Sequence, residues 1–165
     1  NIYLMGGGIL PIAVYQNKVY FLFGRENNSK DEWSDFGGAR EKKERYKDTA
    51  IREGWEETSG MLGTKNKIRW LIDNRLVGTI EIEGYKTYIV QIKYNKDLPQ
   101  KFRDKFLKIK NNKPELQFKN GLYEKDMIRW VELRNVKKFS YKFRRFYKKF
   151  TRYIIKTGEH LLTTT

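Results

Sequence analysis

Short apolar segments rich in β-branched and aromatic residues predict five strands, separated by residues that favour turns. Gln16-Asn17 lies between the first two of these segments, and Glu83-Gly84 lies between the third and the fourth. The predicted strands cover residues 8–14, 18–23, 75–82, 86–94 and 126–133. A β-sheet is therefore expected to form the centre of the fold.

Apolar positions at helical spacing predict helices between and after these strands. Ile51, Trp55 and Thr58 recur at i, i+4 and i+7, which gives residues 47–58 a buried side. A second helix is expected over 99–110. A longer apolar stripe near the C-terminus predicts a last helix, and its members are Phe143, Phe146, Tyr147, Phe150, Tyr153 and Ile154.

Strands interspersed with helices predict an α/β fold in which helices cover both faces of a mixed β-sheet. The expected architecture is a single-domain α/β/α sandwich over residues 1–165. A chain of this length can bury roughly 70% of its unfolded surface, which is enough for one core without disulfides or a structural metal.

Composition narrows the possible chemistry. The chain has no cysteine and one histidine, so disulfides, thiolate metal sites and histidine clusters are excluded. Catalysis would have to use carboxylates, lysines or hydroxyls. No apolar run approaches the ~20 residues that cross a bilayer, and residues 1–5 lack the basic and apolar parts of a signal peptide. These features predict a cytoplasmic protein that does not bind membranes.

The charge balance suggests a class of partner. Thirty-five Lys and Arg residues against twenty Asp and Glu residues give a formal net charge of +15. Such a charge attracts polyanions, which include capped RNA and small polyphosphates. A simpler explanation is that the lysines serve solubility alone. The sequence indicates no obligate protein partner.

Three acids on one predicted helix stand out in this basic chain. Glu53 lies three and four residues before Glu56 and Glu57, so the three carboxylates can converge on one edge of the helix. Their mutual repulsion favours a cation, and Mg²⁺ binds carboxylate oxygens and bridges to phosphates. The same pattern would also suit an acidic face exposed to solvent.

The spacing around these glutamates resembles the Nudix box, G-x5-E-x7-R-E-U-x-E-E-x-G-U, in which U is apolar. Two positions depart from it: Gly54 stands at the first apolar position, and the last glycine is shifted by one residue to Gly60. The resemblance to Nudix hydrolases is centred on a box over 38–61. The matching residues are Gly38, Glu44, Arg52, Glu53, Glu56 and Glu57.

The resemblance implies a role for each matching residue. Glu44 and Arg52 would form a supporting ion pair that fixes the loop on the helix. Arg25 would contact a substrate phosphate. The ligands of Mg²⁺ or Mn²⁺ would be the Gly38 carbonyl and the carboxylates of Glu53, Glu56 and Glu57.

The identity of the general base stays open among these acids. Glu56 or Glu57 could act through a metal-bound water, and Glu124, just before the last predicted strand, is a further candidate. Together with Glu53, these are the candidate catalytic residues.

A basic segment follows the last predicted strand. No acid occurs between Glu132 and Glu159, and a basic amphipathic C-terminal helix is predicted over 137–156. Its charges either form a solvated face or bind the phosphates of RNA. The candidate RNA-binding residues are Arg144, Arg145, Lys148 and Lys149.

The implied activity is metal-dependent hydrolysis of a nucleoside-diphosphate-X linkage, with removal of the mRNA 5′ cap as the first candidate. A weaker similarity to Nudix enzymes of large DNA viruses, which would act in the host cytoplasm, implies either cap removal or cleavage of diphosphoinositol polyphosphates. A basic pocket around Arg25, Arg40 and Lys42 would suit the latter. Hydrolysis of (di)nucleoside polyphosphates is also compatible with the box. A non-catalytic Nudix-fold RNA-binding module is a more remote possibility.

Overall fold

A mixed sheet of seven strands forms the centre of the protein. The computed structural model describes residues 5–118 and 121–165. The strands are β1 (Gly6–Tyr15), β2 (Lys18–Glu26), β3 (Trp33–Ser34), β4 (Phe36–Ala39), β5 (Leu76–Ile82), β6 (Tyr85–Gln91) and β7 (Lys125–Glu132). The helices are α1 (Tyr46–Glu57), α2 (Lys65–Asn74), α3 (Leu98–Asn112), α4 (Val136–Phe139) and α5 (Thr151–Thr164).

The first strand has a different partner at each end. Its second half pairs with β2, where Ile12 lies opposite Phe21, and its first half pairs with β4, where Gly7 lies opposite Gly38. The sheet order is β3-β2-β1-β6-β5, and β7 pairs with the outer side of β2. Among these seven strands, only β1 and β6 pair in parallel. The divergence of β2 from β1 leaves room for β4 beside the first residues of β1.

Two apolar clusters lie on opposite faces of the sheet. One packs α1, α2 and α3 against it through residues such as Ala50, Ile68 and Phe102. The other packs the C-terminal segments against the opposite face through residues such as Phe143 and Ile154. This arrangement confirms the predicted single α/β/α sandwich with a mixed sheet. Within the described residues, no helix is both long and apolar enough to cross a membrane.

Helix α2 was not predicted, although its sequence carries the necessary signals. Ile68, Leu71 and Ile72 are buried at i, i+3 and i+4, which is the spacing of one helix face. Thr64 caps the helix, because its side chain accepts a hydrogen bond from the Lys67 backbone N–H at 3.1 Å. The predicted helix over 99–110 is confirmed by α3.

The C-terminal segment differs from the continuous helix predicted over 137–156. Helix α4 gives way to 3₁₀ turns at Ser140–Lys142 and Arg145–Phe150 before α5 begins. The break lies at Phe143 and Arg144, whose backbone is extended. There the Arg144 N–H donates to the Trp33 carbonyl at 2.8 Å, so pairing with β3 replaces the helical hydrogen bonds. The apolar stripe still faces inward in large part: Phe143, Tyr147, Phe150 and Ile154 are buried.

Candidate metal and active site

Helix α1 directs two of the three glutamates towards the sheet. Glu53 and Glu57 are buried at i and i+4, whereas Glu56 is partly exposed. Gly54 allows the helix to lie close to β1, because a Cβ atom there would be only 2.9 Å from Ile9 Cδ1. The close approach therefore carries carboxylates to the edge of β4.

The glycine pair of β4 lies directly against these carboxylates. A Cβ atom at Gly38 would be 2.7 Å from the carboxyl carbon of Glu53, so only glycine fits without displacing the acid. The Gly37 backbone N–H donates to Glu57 Oε1 at 2.8 Å. This contact fixes one carboxylate against β4.

Glu124 joins the cluster from a distant part of the chain. It is exposed and lies immediately before β7, whose pairing with β2 brings it to α1. One carboxylate oxygen each of Glu53, Glu57 and Glu124 lie within 4.8 Å of one another. Oxygens that converge in this way suit a hard divalent cation such as Mg²⁺. Glu56 faces the segment that leads into β7, because a Cβ atom at Gly121 in that segment would overlap Glu56 Oε2.

Burial and mutual repulsion disfavour the charged forms of the clustered glutamates. Burial raises the pKa of Glu53 to about 7, although Arg52 opposes the rise. Burial also raises the pKa of Glu56, and it raises that of Glu57 well above its ordinary value. Repulsion among the acids adds to the effect in each case. A divalent cation would favour the charged form of all of them.

The predicted support pair lies beside the cluster. Arg52 donates to both oxygens of Glu44, from Nε at 2.8 Å and from Nη2 at 2.9 Å. Its Nη2 also donates to the Ala39 carbonyl at 3.0 Å, and its Nη1 donates to Glu53 Oε1 at 2.8 Å. The hydrogen bonds from Arg52 lower the pKa of Glu44 to about 2. The Arg52 guanidinium thus connects the loop that carries Glu44, the end of β4 and the candidate metal ligand Glu53.

Lys125 is a buried cation that the sequence pattern does not reveal. Its Nζ donates to Ser34 Oγ at 2.9 Å and to Glu26 Oε2 at 3.2 Å, and it lies 3.7 Å from Glu57 Oε1. The side chain is completely buried. Lysine occurs throughout this chain, so nothing in the sequence distinguishes this one from its exposed neighbours.

Comparison with known proteins rests on structure, since no family model and no curated protein matches this sequence. The fold is similar to that of an Ap4A hydrolase of C. elegans, with a TM-score of 0.56 and 14% identity over 98% of this chain and 99% of that one. It is also similar to RenU, a Nudix hydrolase of M. smegmatis, with a TM-score of 0.51 and 13% identity over 95% and 87%. A mutT/nudix family protein of Listeria innocua gives a TM-score of 0.50 and 11% identity over 98% and 95%.

The chain has the Nudix hydrolase fold. Within it, the box over 38–61 comprises the end of β4, a loop, α1 and the turn that follows. Within this fold Gly38 lies against Glu53, and Arg52 forms the predicted pair with Glu44. Of the three box glutamates, Glu53 and Glu57 belong to the converging set of described carboxylates, whereas Glu56 lies outside that set and contacts Arg52.

The three residues predicted to bind the substrate lie in two different environments. Arg25 on β2 is held by acids, with Nε donating to Asp126 at 2.8 Å and Nη1 3.6 Å from Asp31. The hydrogen bond to Asp126 raises the pKa of Arg25. Its charge is thus already compensated within the Nudix fold, and Asp126 could not be recognised as its partner from sequence. Arg40 and Lys42 lie on the exposed segment after β4.

The candidate RNA-binding residues are also partly compensated. Arg144 Nη1 lies 3.5 Å from Glu26, and Lys149 donates to both oxygens of Glu83 at 2.9 Å. Arg145 and Lys148 are exposed. Because the helix is broken, these four residues do not share one helical face.

A cavity of about 570 Å³ lies on the other side of Gly38, between the Nudix sheet and the C-terminal segment. Its aromatic walls are Tyr85, Phe146 and Phe150, and the cation among its described lining residues is Arg144. Asp35 lies at its base and accepts hydrogen bonds from the Tyr85 hydroxyl at 2.9 Å and from Thr87 Oγ1 at 2.8 Å. Burial raises the pKa of Asp35 to about 6.

Proposed function

We propose that this protein is a divalent-metal-dependent pyrophosphohydrolase that cleaves a nucleoside-diphosphate-X linkage. The observation that carries the proposal is the convergence of Glu53, Glu57 and Glu124, whose oxygens lie within 4.8 Å of one another. A protein that only binds RNA has no need to hold buried carboxylates together at the cost of their raised pKa values. The Nudix fold supports the same activity.

The cation would be held by the carboxylates of Glu53 and Glu57, which belong to the converging set. The resemblance to the Nudix box adds Glu56 and the Gly38 carbonyl as further ligands. When bound, Mg²⁺ or Mn²⁺ supplies positive charge that polarises the phosphoryl group and favours ionisation of water. Glu57 is restrained by Gly37 and Lys125, which suits a ligand. Glu124 is exposed and so can exchange a proton with solvent. We therefore assign Glu124 the role of general base, which takes the proton of the attacking water.

The cavity beside Gly38 favours a nucleotide over an inositol pyrophosphate. Its volume of about 570 Å³ and its aromatic walls, Tyr85, Phe146 and Phe150, suit a nucleoside whose base stacks on a ring. An inositol pyrophosphate carries many phosphates and would need several cations. The described lining of the cavity instead combines one cation, Arg144, with the acids Asp35 and Glu83.

The group X is proposed to be an RNA chain, so that the reaction removes a 5′ cap in the cytoplasm. The net charge of +15 supports a polyanionic substrate. Hydrolysis of a dinucleoside polyphosphate is the second candidate, and the similarity to the C. elegans Ap4A hydrolase favours it.

A turnover screen tests the proposal. Capped RNA, a dinucleoside tetraphosphate and an inositol pyrophosphate are each incubated with the protein and Mg²⁺ or Mn²⁺, and then with EDTA. We expect metal-dependent hydrolysis of the nucleotide substrates. Phe146→Ala should raise KM for them, while Tyr141→Ala, which removes an aromatic ring exposed outside the cavity, should not. Absence of turnover on all three substrates with both metals would contradict the proposal.

A further inference from the structure

A second groove lies at the end of the sheet that is remote from Gly38. It has a volume of about 840 Å³ and lies where β1 and β6 end, beneath α2. Its lining includes Met61 and Leu62 in the turn after α1 and Tyr15 at the end of β1. Tyr15 is eight residues beyond Gly7, the partner of Gly38, which corresponds to roughly 26 Å along a strand.

Exposed aromatic rings line this groove. Tyr15 is 44% exposed and stacks on Tyr94, with ring centroids 4.7 Å apart and ring planes 21° apart. Trp70 on α2 is 42% exposed. Lys67 Nζ lies 4.3 Å and the Arg75 guanidinium 4.9 Å from the centre of the Trp70 ring. Two exposed rings in one groove offer flat apolar faces on which a ligand can stack.

The charged side chains of the groove are positive. Its lining includes Lys67, Arg75, Lys93 and Lys96 and, among the residues that the structure describes, contains no Asp or Glu. All four cations are exposed, and none of them forms an ion pair within residues 5–118 and 121–165. The candidate RNA-binding residues of the C-terminal segment differ, because Arg144 and Lys149 already face acids there.

We propose that this groove binds single-stranded RNA, with bases stacked on Tyr15 and Trp70 and phosphates held by the four cations. Stackable rings combined with cations are the features by which proteins hold single strands without reading their sequence. The choice of RNA rests on the proposed function. Since the lining of the groove includes the turn after α1, the helix that carries the glutamates, the groove would hold the body of a transcript whose 5′ end lies at those glutamates.

Fluorescence anisotropy with a short, uncapped, labelled RNA in EDTA tests the groove without any need for a metal or turnover. Failure of the hydrolase proposal would therefore leave this result unaffected. Tyr15→Ala and Trp70→Ala should each weaken binding about tenfold. The matched control is Tyr141→Ala, which removes a ring that is 78% exposed outside the groove and should bind normally. An RNA duplex should bind more weakly than the single strand, because its bases cannot stack on the rings.

The charge contribution is tested by the salt dependence of binding. Lys93→Gln combined with Lys96→Gln should lower the slope of log affinity against log salt by roughly 1.4, or about 0.7 for each lost phosphate contact. The pair Lys108→Gln and Lys110→Gln on α3 removes the same charge from an exposed surface outside the groove and should leave the slope unchanged. Melting temperatures confirm that each variant is folded. The proposal is overturned if the groove variants bind RNA normally, or if only Arg145→Gln and Lys148→Gln weaken binding.

Discussion

Arg52 holds Glu44 through two parallel hydrogen bonds, from Nε at 2.8 Å and from Nη2 at 2.9 Å. Both side chains are mostly shielded from solvent, so the pair is weakly screened. The same guanidinium donates to the Ala39 carbonyl and to Glu53. A single side chain therefore sets the distance between the end of β4 and the glutamates of α1.

Replacement of Arg52 should harm stability and activity together. Arg52→Ala removes a bidentate pair and leaves Glu44 partly buried without its partner, which should cost about 2 to 3 kcal/mol. Thermal unfolding and Mg²⁺ titration of turnover measure the two effects. Arg52→Lys keeps the charge but loses the bidentate geometry and should be intermediate. An Arg52→Ala protein with an unchanged melting temperature and unchanged Mg²⁺ dependence would contradict this role.

The Glu44 carboxylate should stabilise the protein above its ordinary pKa. Its pKa falls from 4.5 to about 2 in the folded state, so its contribution is complete above pH 4.5 and is lost as the pH falls towards 2. Part of the acid unfolding of the wild type should therefore come from this group. In Glu44→Gln the melting temperature should depend less on pH across that range, and an equally steep dependence would be the contrary result.

The buried Glu53 carboxyl should make folding stability depend on pH in the opposite direction from Glu44. Its pKa rises from 4.5 to about 7 on folding, so its contribution is complete below pH 4.5 and is lost as the pH rises through 7. In EDTA, the melting temperature should decline across this interval, and Glu53→Gln should reduce the decline. Mg²⁺ should restore stability at the upper end, because it replaces the proton as the compensating charge. The expectation would be contradicted if the metal-free protein had the same melting temperature at pH 4.5 and above pH 7, and if Mg²⁺ did not change that temperature.

Substitution of a candidate ligand should abolish most activity without unfolding the protein. Glu56→Gln or Glu57→Gln should reduce turnover by at least ~10²-fold, while the neutral amide relieves repulsion in the metal-free cluster. Calorimetric titration should show weaker Mg²⁺ binding. Glu159→Gln, on the exposed side of α5, is the control of equal charge change. Full activity in both ligand variants, or in excess EDTA, would refute the metal site.

The contact between α1 and β1 can be tested through Gly54. A Cβ atom there would be 2.9 Å from Ile9 Cδ1 and 3.0 Å from Ile9 Cγ1. Gly54→Ala should therefore destabilise the protein by about 1 kcal/mol, despite the better helix propensity of alanine. In an Ile9→Ala background, which removes Cδ1, Cγ1 and Cγ2, the same change should become neutral or stabilising. Additive effects in this double-mutant cycle would show that the two residues are not coupled.

The sequence by itself determined the local part of the site. Glu53, Glu56 and Glu57 lie within five residues on one helix, and Arg52 reaches Glu56 one turn away. Such positions follow from helical geometry, which fixes relative placement from spacing alone. The order of the longer strands, α1 and α3 likewise follows from periodicity, whereas α2 and the short strands β3 and β4 are not among the predicted elements.

Only the tertiary structure decided which distant residues complete the site. Glu124 reaches the glutamates because β7 pairs with β2, and the same pairing brings Lys125 to Glu57 and Asp126 to Arg25. Strand pairing over such separations is set by packing of the whole sheet, and no local pattern encodes it. The same is true of the break at Phe143, where the chain pairs with Trp33 instead of continuing the helix that its periodicity favours. Local propensity is worth tenths of a kcal/mol per residue, so a buried aromatic segment and a strand contact outweigh it.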